Sequence, residues 1–219
     1  MEKPINSLKE EIESYISEAR ELLPKLPYDL TFTLDKNLII PGNGTGGTLL
    51  QPTILGIGYD SHFGDKELLS KNLRASVLHE CYHAMQGWSD QNPMVTPETL
   101  LEDGVLEGVA VVFERDFGGT SPLWASYEEE EVMQKWLNEI KSLELDPNSE
   151  QYFDYKFGEV GAAKWMLYKL GTWIADNALE RNTQLTIIDL STKTSKEIIQ
   201  LANCHPPHIM NTLSIHKAV

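Results

Sequence analysis

The chain has 219 residues, 41% of them hydrophobic and 23% charged, which suits one domain, or a compact domain with a small second lobe, and is an ordinary globular balance. A formal net charge of −15 would repel phosphate, which argues against nucleic acid or an anionic membrane as partner. No apolar run approaches the roughly 18 residues of a membrane span, no basic-then-apolar leader opens the chain, and Cys81 and Cys204 are too few for a disulfide framework, so the expected location is cytoplasmic.

In chain order, "NSLKEEIESYISEARELL" predicts a first helix, because Leu8, Ile12, Tyr15, Ile16 and Ala19 recur at three- and four-residue intervals before Pro24. "DLTFTLDKNLII" and "PTILGIGYD" read as strands, with the glycine-rich "PGNGTGGT" as a loop between them. Gly42, Gly44 and Gly47 satisfy GxGxxG, yet no helix opens behind them to face a phosphate, so the match carries no nucleotide site. "DKELLSKNLRASVLHECYHAMQGW" predicts a long helix, and "TPETLLEDGVLEGVAVVFERDFGG" another, with Thr96 as N-cap, Pro97 in the first turn and Gly118 at its end. "LWASYEEEEVMQKWLNEIKSLEL" and "GEVGAAKWMLYKLGTWIADNAL" continue the helical run, and "TSKEIIQLANCHPPH" adds one short helix. The acidic run Glu128 to Glu131 reads as a solvated face. Strands cluster early and helices dominate later, so the expected class is α+β, with a strand-rich N-terminal lobe of about residues 1–90 and a helical lobe of about 91–219.

The stretch "LHECYHAMQGW" carries the chemistry. His79 and His83 stand one turn apart on one helix face, close enough to share an ion, and zinc takes neutral imidazole nitrogens at about 2.0–2.1 Å. Glu80 points sideways from the pair, where it can reach a water on the metal without binding the metal, the geometry of a general base. Asn72, Ser76, His79, His83 and Gln86 form one polar stripe without a long charged residue, which suits a cleft floor better than an open surface.

A catalytic zinc needs a third protein ligand and an open fourth position. The HExxHxxGxxH arrangement is excluded, because Gln86 and Ser89 stand where it needs Gly and His. An acidic ligand from the next helix remains, with Glu102, Asp103, Glu107 and Glu114 as candidates. For an antiparallel helix pair the matching level falls near 102 to 107, which leaves Glu114 too far along. Gly104 and Gly108 form a notch beside Glu107 that would let this helix come close to the metal helix.

With these residues in view, the chain resembles the gluzincins, metallopeptidases in which HExxH is completed by a Glu from the next helix. "LEGVA" is similar to the EGxA segment that carries the third ligand in their aminopeptidase branch, and the chain looks closest to a small bacterial set of zinc-dependent proteases that carry HExxH, EGxA and then Tyr-x-x-Gly, here Tyr155 to Gly158. The likeness covers residues 53 to 117. It implies a zincin-like fold, zinc held by His79, His83 and Glu107, and peptide or protein as substrate. Glu107 lies 24 residues after His83, further than in thermolysin-like enzymes, and Glu102 and Asp103 fit the shorter count. With Glu107 as ligand, Asp103 would orient a histidine from outside.

Zincin-like folds present an edge strand beside the active-site helix, and "TILGIGYD", with Ile54, Gly56 and Gly58 on one face, is the expected edge for an extended peptide. The negative charge that builds on the carbonyl oxygen calls for a neutral donor, with Tyr155 first and His205 and His208 as alternates. The expected function is a zinc metallopeptidase with Glu80 as base. The competing readings are a metal- or partner-binding domain without turnover, and a zinc hydrolase of another amide or ester.

Overall fold

The computed structural model describes residues 5–87, 97–144, 146, 148–158 and 161–202. Helix α1 (Ile5–Leu22) buries Leu8, Ile12, Ile16 and Ala19, the stripe that the three- and four-residue spacing predicts. Its Glu18 carboxylate clasps Arg74 of α2 (Lys66–Gln86), with Nε to Oε2 at 2.9 Å. Helix α2 starts where Asp65 accepts from the Leu68 N–H at 2.9 Å and stops at Gly87, whose left-handed φ of 75° lets the chain turn out of the helix.

Three strands form one sheet among the described residues: β1 (Thr31–Leu34), β2 (Thr45–Gln51) and β3 (Ile54–Tyr59). Their spatial order is β1-β3-β2, with β1 parallel and β2 antiparallel to β3. Two expectations change here. The first predicted strand is cut to four residues, because the Asp35 carboxylate accepts from Asn37 N and turns the chain into a 3-10 segment at Lys36–Leu38. The second half of the glycine-rich "loop" is strand β2, since Thr45 to Leu49 pair in register with Tyr59 to Leu55.

The expected edge strand is therefore the middle one. Strand β3 is paired on both sides and offers nothing to a peptide, whereas β2 is the edge that lies on α2. The Gly44 carbonyl accepts from Asp60 N, and that of Thr45 from Ile40 N on the other side. By the alternation of an antiparallel ladder, Gly47 then turns its N–H and C=O to the free edge.

Helix α3 (Leu100–Gly118) is buried on all sides from Leu100 to Glu114, so it is the centre of the molecule rather than an amphipathic surface helix. Its N-cap is Thr99, whose hydroxyl accepts from Glu102 N at 3.2 Å, not Thr96, which lies outside the described residues; Pro97 precedes the helix. The expected notch at Gly104 and Gly108 faces away from α2 and receives α6 (Met166–Arg181). A Cβ on Gly108 would stand 1.9 Å from the Gly171 carbonyl carbon, and one on Gly171 1.7 Å from the Gly104 oxygen. The close approach to α2 occurs instead at Gly118, whose Cβ would meet that of Ala75 at 2.9 Å.

Helices α4 (Glu130–Ile140), α5 (Glu150–Phe157), α7 (Ile187–Leu190) and α8 (Ser195–Leu201) complete the α-helices among the described residues, and the acidic run at the start of α4 is exposed as expected. Helices α5 and α7 were not expected. The class is α+β, a small sheet with a mainly helical remainder. One continuous buried cluster joins residues of α1, the sheet, α2, α3, α4 and α6, and a small separate one contains Val111, Trp124 and Ala125. Among the described residues no helix is long and apolar enough to cross a membrane.

Candidate metal centre and its cleft

The polar stripe of α2 lies under β2 and against α3. Asn72 donates to the Asn43 carbonyl at 2.8 Å and the Ser76 hydroxyl meets that of Thr45 at 2.8 Å, so the upper half of the stripe pins the turn into β2. Further along it His79 and His83 face a cavity of about 310 Å³, which Ser76 also lines.

There the two imidazoles come together with Glu107. Nε2 of His79 and Nε2 of His83 are 3.0 Å apart, and each is 3.4 Å from Glu107 Oε2. Three donors to one tetrahedral zinc, each at about 2.0–2.1 Å, stand roughly 3.3–3.4 Å from one another. The spacing thus fits a single ion, and these residues form a cluster able to hold one. The outer nitrogens are engaged elsewhere. His79 Nδ1 meets Glu114 Oε2 at 3.1 Å, and a carboxylate can only accept, so the proton sits on Nδ1; His83 Nδ1 likewise meets Gln86 Oε1 at 3.0 Å. The two inner Nε2 atoms and a carboxylate oxygen therefore face one point, where a metal ion would take the place of a proton. Burial alone would drive the His79 imidazole down, but the hydrogen bonds to Glu107 and Glu114 outweigh it and hold it well above the ordinary histidine range. The point calls for positive charge.

Glu80 is buried in the same cavity, and its Oε2 has no hydrogen-bond partner among the described residues. Burial pushes its carboxyl up. Strand β2 passes close by: a Cβ on Gly47 would lie 2.6 Å from Glu80 Cγ.

The other acidic candidates go elsewhere. Glu102 accepts from Glu98 N at 2.8 Å, within the start of α3. Asp103 does not support a histidine; it lies 3.5 Å from Lys156 Nζ and accepts from the Tyr152 hydroxyl at 3.3 Å. Glu114, reckoned too far along α3, is the residue that reaches His79, because α3 pairs with α2 further along than the level argument assumed, Gly118 lying opposite Ala75. Trp124 Nε1 donates to the same Glu114 oxygen at 3.2 Å.

Lys156, for which the sequence offers no motif, is buried with Nζ 2.8 Å from Glu107 Oε1 and 2.9 Å from the Tyr152 hydroxyl. Burial disfavours its charge, yet the Asp103 and Glu107 carboxylates hold it well above the ordinary lysine range, so it is an ammonium. Glu107 is the mirror case: burial would raise it, but Lys156 and the two imidazoles hold it well below the carboxylate range. With Oε1 tied to Lys156, Oε2 is left to face the histidines.

Tyr155 does not face the cleft. On α5, Tyr152 and Lys156 are four apart and share the inward face, whereas Tyr155 turns outward and its hydroxyl donates to Glu139 at 3.0 Å. Tyr152 and Tyr168 line the cavity instead. His205, His208 and Cys204 lie outside the described residues; Cys81 is buried as expected. Trp124 and Lys156 were missed, with only the i, i+4 pair of Tyr152 and Lys156 to hint at the second, and Glu114 was set aside as a ligand without a role as a support for His79.

A family model described as Predicted Zn-dependent protease (DUF2268) matches residues 8–200, and the chain belongs to that family. No curated protein and no solved structure matches the chain.

Proposed function

We propose that this protein is a metallopeptidase of the gluzincin type on a zincin-like fold, with zinc held by His79, His83 and Glu107, and Glu80 as general base. The observation that carries the reading is the convergence of two imidazole Nε2 atoms and Glu107 Oε2, at mutual distances of 3.0–3.4 Å, beside a buried glutamate whose Oε2 has no partner among the described residues. Two histidines and one carboxylate are a catalytic ligand set, and a purely structural site would usually recruit a fourth residue.

When bound, zinc supplies Lewis acidity that makes water a nucleophile near neutral pH and polarises a peptide carbonyl. The remaining work falls to the chain. Glu80 Oε2, without a hydrogen-bond partner among the described residues, takes the proton from the attacking water and returns it to the leaving amine nitrogen. The free edge of β2 at Gly47 offers an N–H and a C=O to an extended peptide backbone, as a strand added to the sheet. Tyr168, lining the cavity and kept neutral because burial lifts its hydroxyl well above the ordinary range, takes the donor role expected of Tyr155. Glu114 and Gln86 hold the imidazoles so that both Nε2 atoms point inward.

Metal analysis of the purified protein tests this together with peptide hydrolysis. The wild type is expected to hold one zinc per chain, His83→Ala to lose it, and Glu80→Gln to keep it while losing nearly all turnover. Trace metal in both the wild type and His83→Ala overturns the metal site. Full metal with no hydrolysis of any peptide leaves a binding domain or a hydrolase of another amide or ester.

A further inference from the structure

Beside the candidate metal centre the cavity has an apolar wall that the main core does not use. Trp124, Phe157, Trp165 and Tyr168 line it, and Leu38 and Ile40 line the same cavity. The four rings touch one another: Trp165 lies 4.9 Å from Trp124, 5.7 Å from Phe157 and 5.5 Å from Tyr168, the last two edge-to-face. Trp124 belongs to the small cluster around Val111, and Trp165 and Tyr168 border that cluster rather than the large one. Trp165 and Tyr168 are only half-buried, so the wall is unfinished on the cavity side.

The backbone bears a cost here. Trp165 is the one described non-glycine residue with a positive φ, 62°, a left-handed conformation that a bulky side chain rarely adopts. It stands at the N-cap of α6 without making a capping hydrogen bond. What the strained turn achieves is the position of the indole on the cavity wall, and strain of this kind collects at ligand-binding positions. The wall also adjoins the metal centre directly, since Trp124 shares the Glu114 oxygen with His79.

We infer that this aromatic recess is the specificity subsite of the cleft and takes a bulky, uncharged side chain, aromatic or branched aliphatic, from the residue beside the scissile peptide bond. The inference rests on the peptidase reading. The charge at the recess selects against the alternative aromatic-box ligand, a cation. Lys156 Nζ already lies 5.8 Å from the Tyr168 ring and 5.4 Å from that of Tyr152, and would repel a second positive charge. Of the carboxylates in the cavity, Glu107 is engaged by Lys156 and Glu114 by His79 and Trp124, and Glu80 is the one that the peptidase reading gives to the reacting water. An anionic side chain would meet those same carboxylates.

Binding and turnover test it separately. Blocked pentapeptides Ala-Ala-X-Ala-Ala, with X as Phe, Leu, Ala, Lys or Glu, are titrated into zinc-loaded Glu80→Gln protein and into the metal-free wild type while indole fluorescence is read. The same peptides are offered to the zinc-loaded wild type as substrates. The Phe and Leu peptides are expected to bind at least about tenfold more tightly than the Ala, Lys and Glu peptides, the scale of apolar pocket discrimination. Trp165→Ala and, independently, Phe157→Ala should bring that ratio close to one. Selective binding lost in both variants supports the subsite even if no peptide is cleaved, in which case the peptidase reading alone fails. Cleavage without selectivity, equal binding of Phe and Ala peptides, or tightest binding of Lys overturns the subsite and leaves the peptidase reading standing.

Discussion

Glu114 makes two bonds with one oxygen, accepting from His79 Nδ1 at 3.1 Å and from Trp124 Nε1 at 3.2 Å, which fixes both the ring tautomer and its orientation. Outer partners of metal-bound histidines typically carry about 10–100-fold in metal affinity. Glu114→Gln keeps the shape but weakens the acceptor, so zinc affinity, read by competition with a chelator, is expected to fall by roughly that factor while the fold persists. Lys156 acts on the other side of the site. Its ammonium is the nearest counter-charge to both Asp103 and Glu107, and removing one partner of a buried ion pair costs about 3–5 kcal/mol. Lys156→Met should lower the urea stability of the metal-free protein by about that amount. Zinc supplies positive charge to the same carboxylate, so the loss should be smaller in the loaded protein; an equal loss in both would mean that Lys156 and the metal do not share Glu107. The histidines and Glu80 were legible in the sequence because a single helix fixes their relation at i, i+1 and i+4. Glu114 and Lys156 were not, because their roles depend on how far α3 and α5 slide against α2, which no local pattern encodes.

Strand β2 shows the same limit one level up. Its glycines removed the alternation by which a strand is read, and "PGNGTGGT" carries every mark of a loop. In the fold those glycines answer to crowding: a Cβ on Gly46 would lie 2.1 Å from the Leu38 carbonyl oxygen, and one on Gly47 2.6 Å from Glu80 Cγ. The helices were easier, since α1, α2 and α3 lie where periodicity and capping chemistry put them, with ends shifted by a few residues. The partner of the Gly104–Gly108 notch was not legible either, since a notch is the same seen from α2 or from α6. Gly47→Ala tests the role of β2. The methyl group must displace Glu80 or the strand itself, and a misplacement of about 1 Å in a catalytic group can cost about 100-fold. Peptide hydrolysis by this variant is expected to fall by one to two orders of magnitude, as a loss in kcat, with zinc content unchanged because none of the three candidate ligands moves.

At the scale of the whole molecule the cleft carries more negative charge than it can neutralise by itself. Among the described residues Glu80, Glu107 and Glu114 line it and Asp103 lies behind Lys156, all four buried, against the one buried ammonium of Lys156. The metal-free protein meets that imbalance with protons: the carboxylates around His79 raise it, and burial raises Glu80. A divalent cation would replace those protons at the point where three acceptors already meet, so its binding free energy adds to the stability of a fold whose central helix, α3, carries Glu107 and Glu114. A ligand at a thousand times its Kd adds about 4 kcal/mol when it binds only the folded state. For a chain of this length each kcal/mol moves the midpoint by about 2–4 °C, so stripping the metal with a chelator should lower the melting temperature by roughly 8–16 °C, and adding zinc back should restore it. His83→Ala should melt near the stripped wild type and not respond to the chelator. A midpoint that stays put in the wild type after chelation, with its metal removal verified, would mean that protons alone balance the cleft, and the metal centre would then have no claim on the stability of α3.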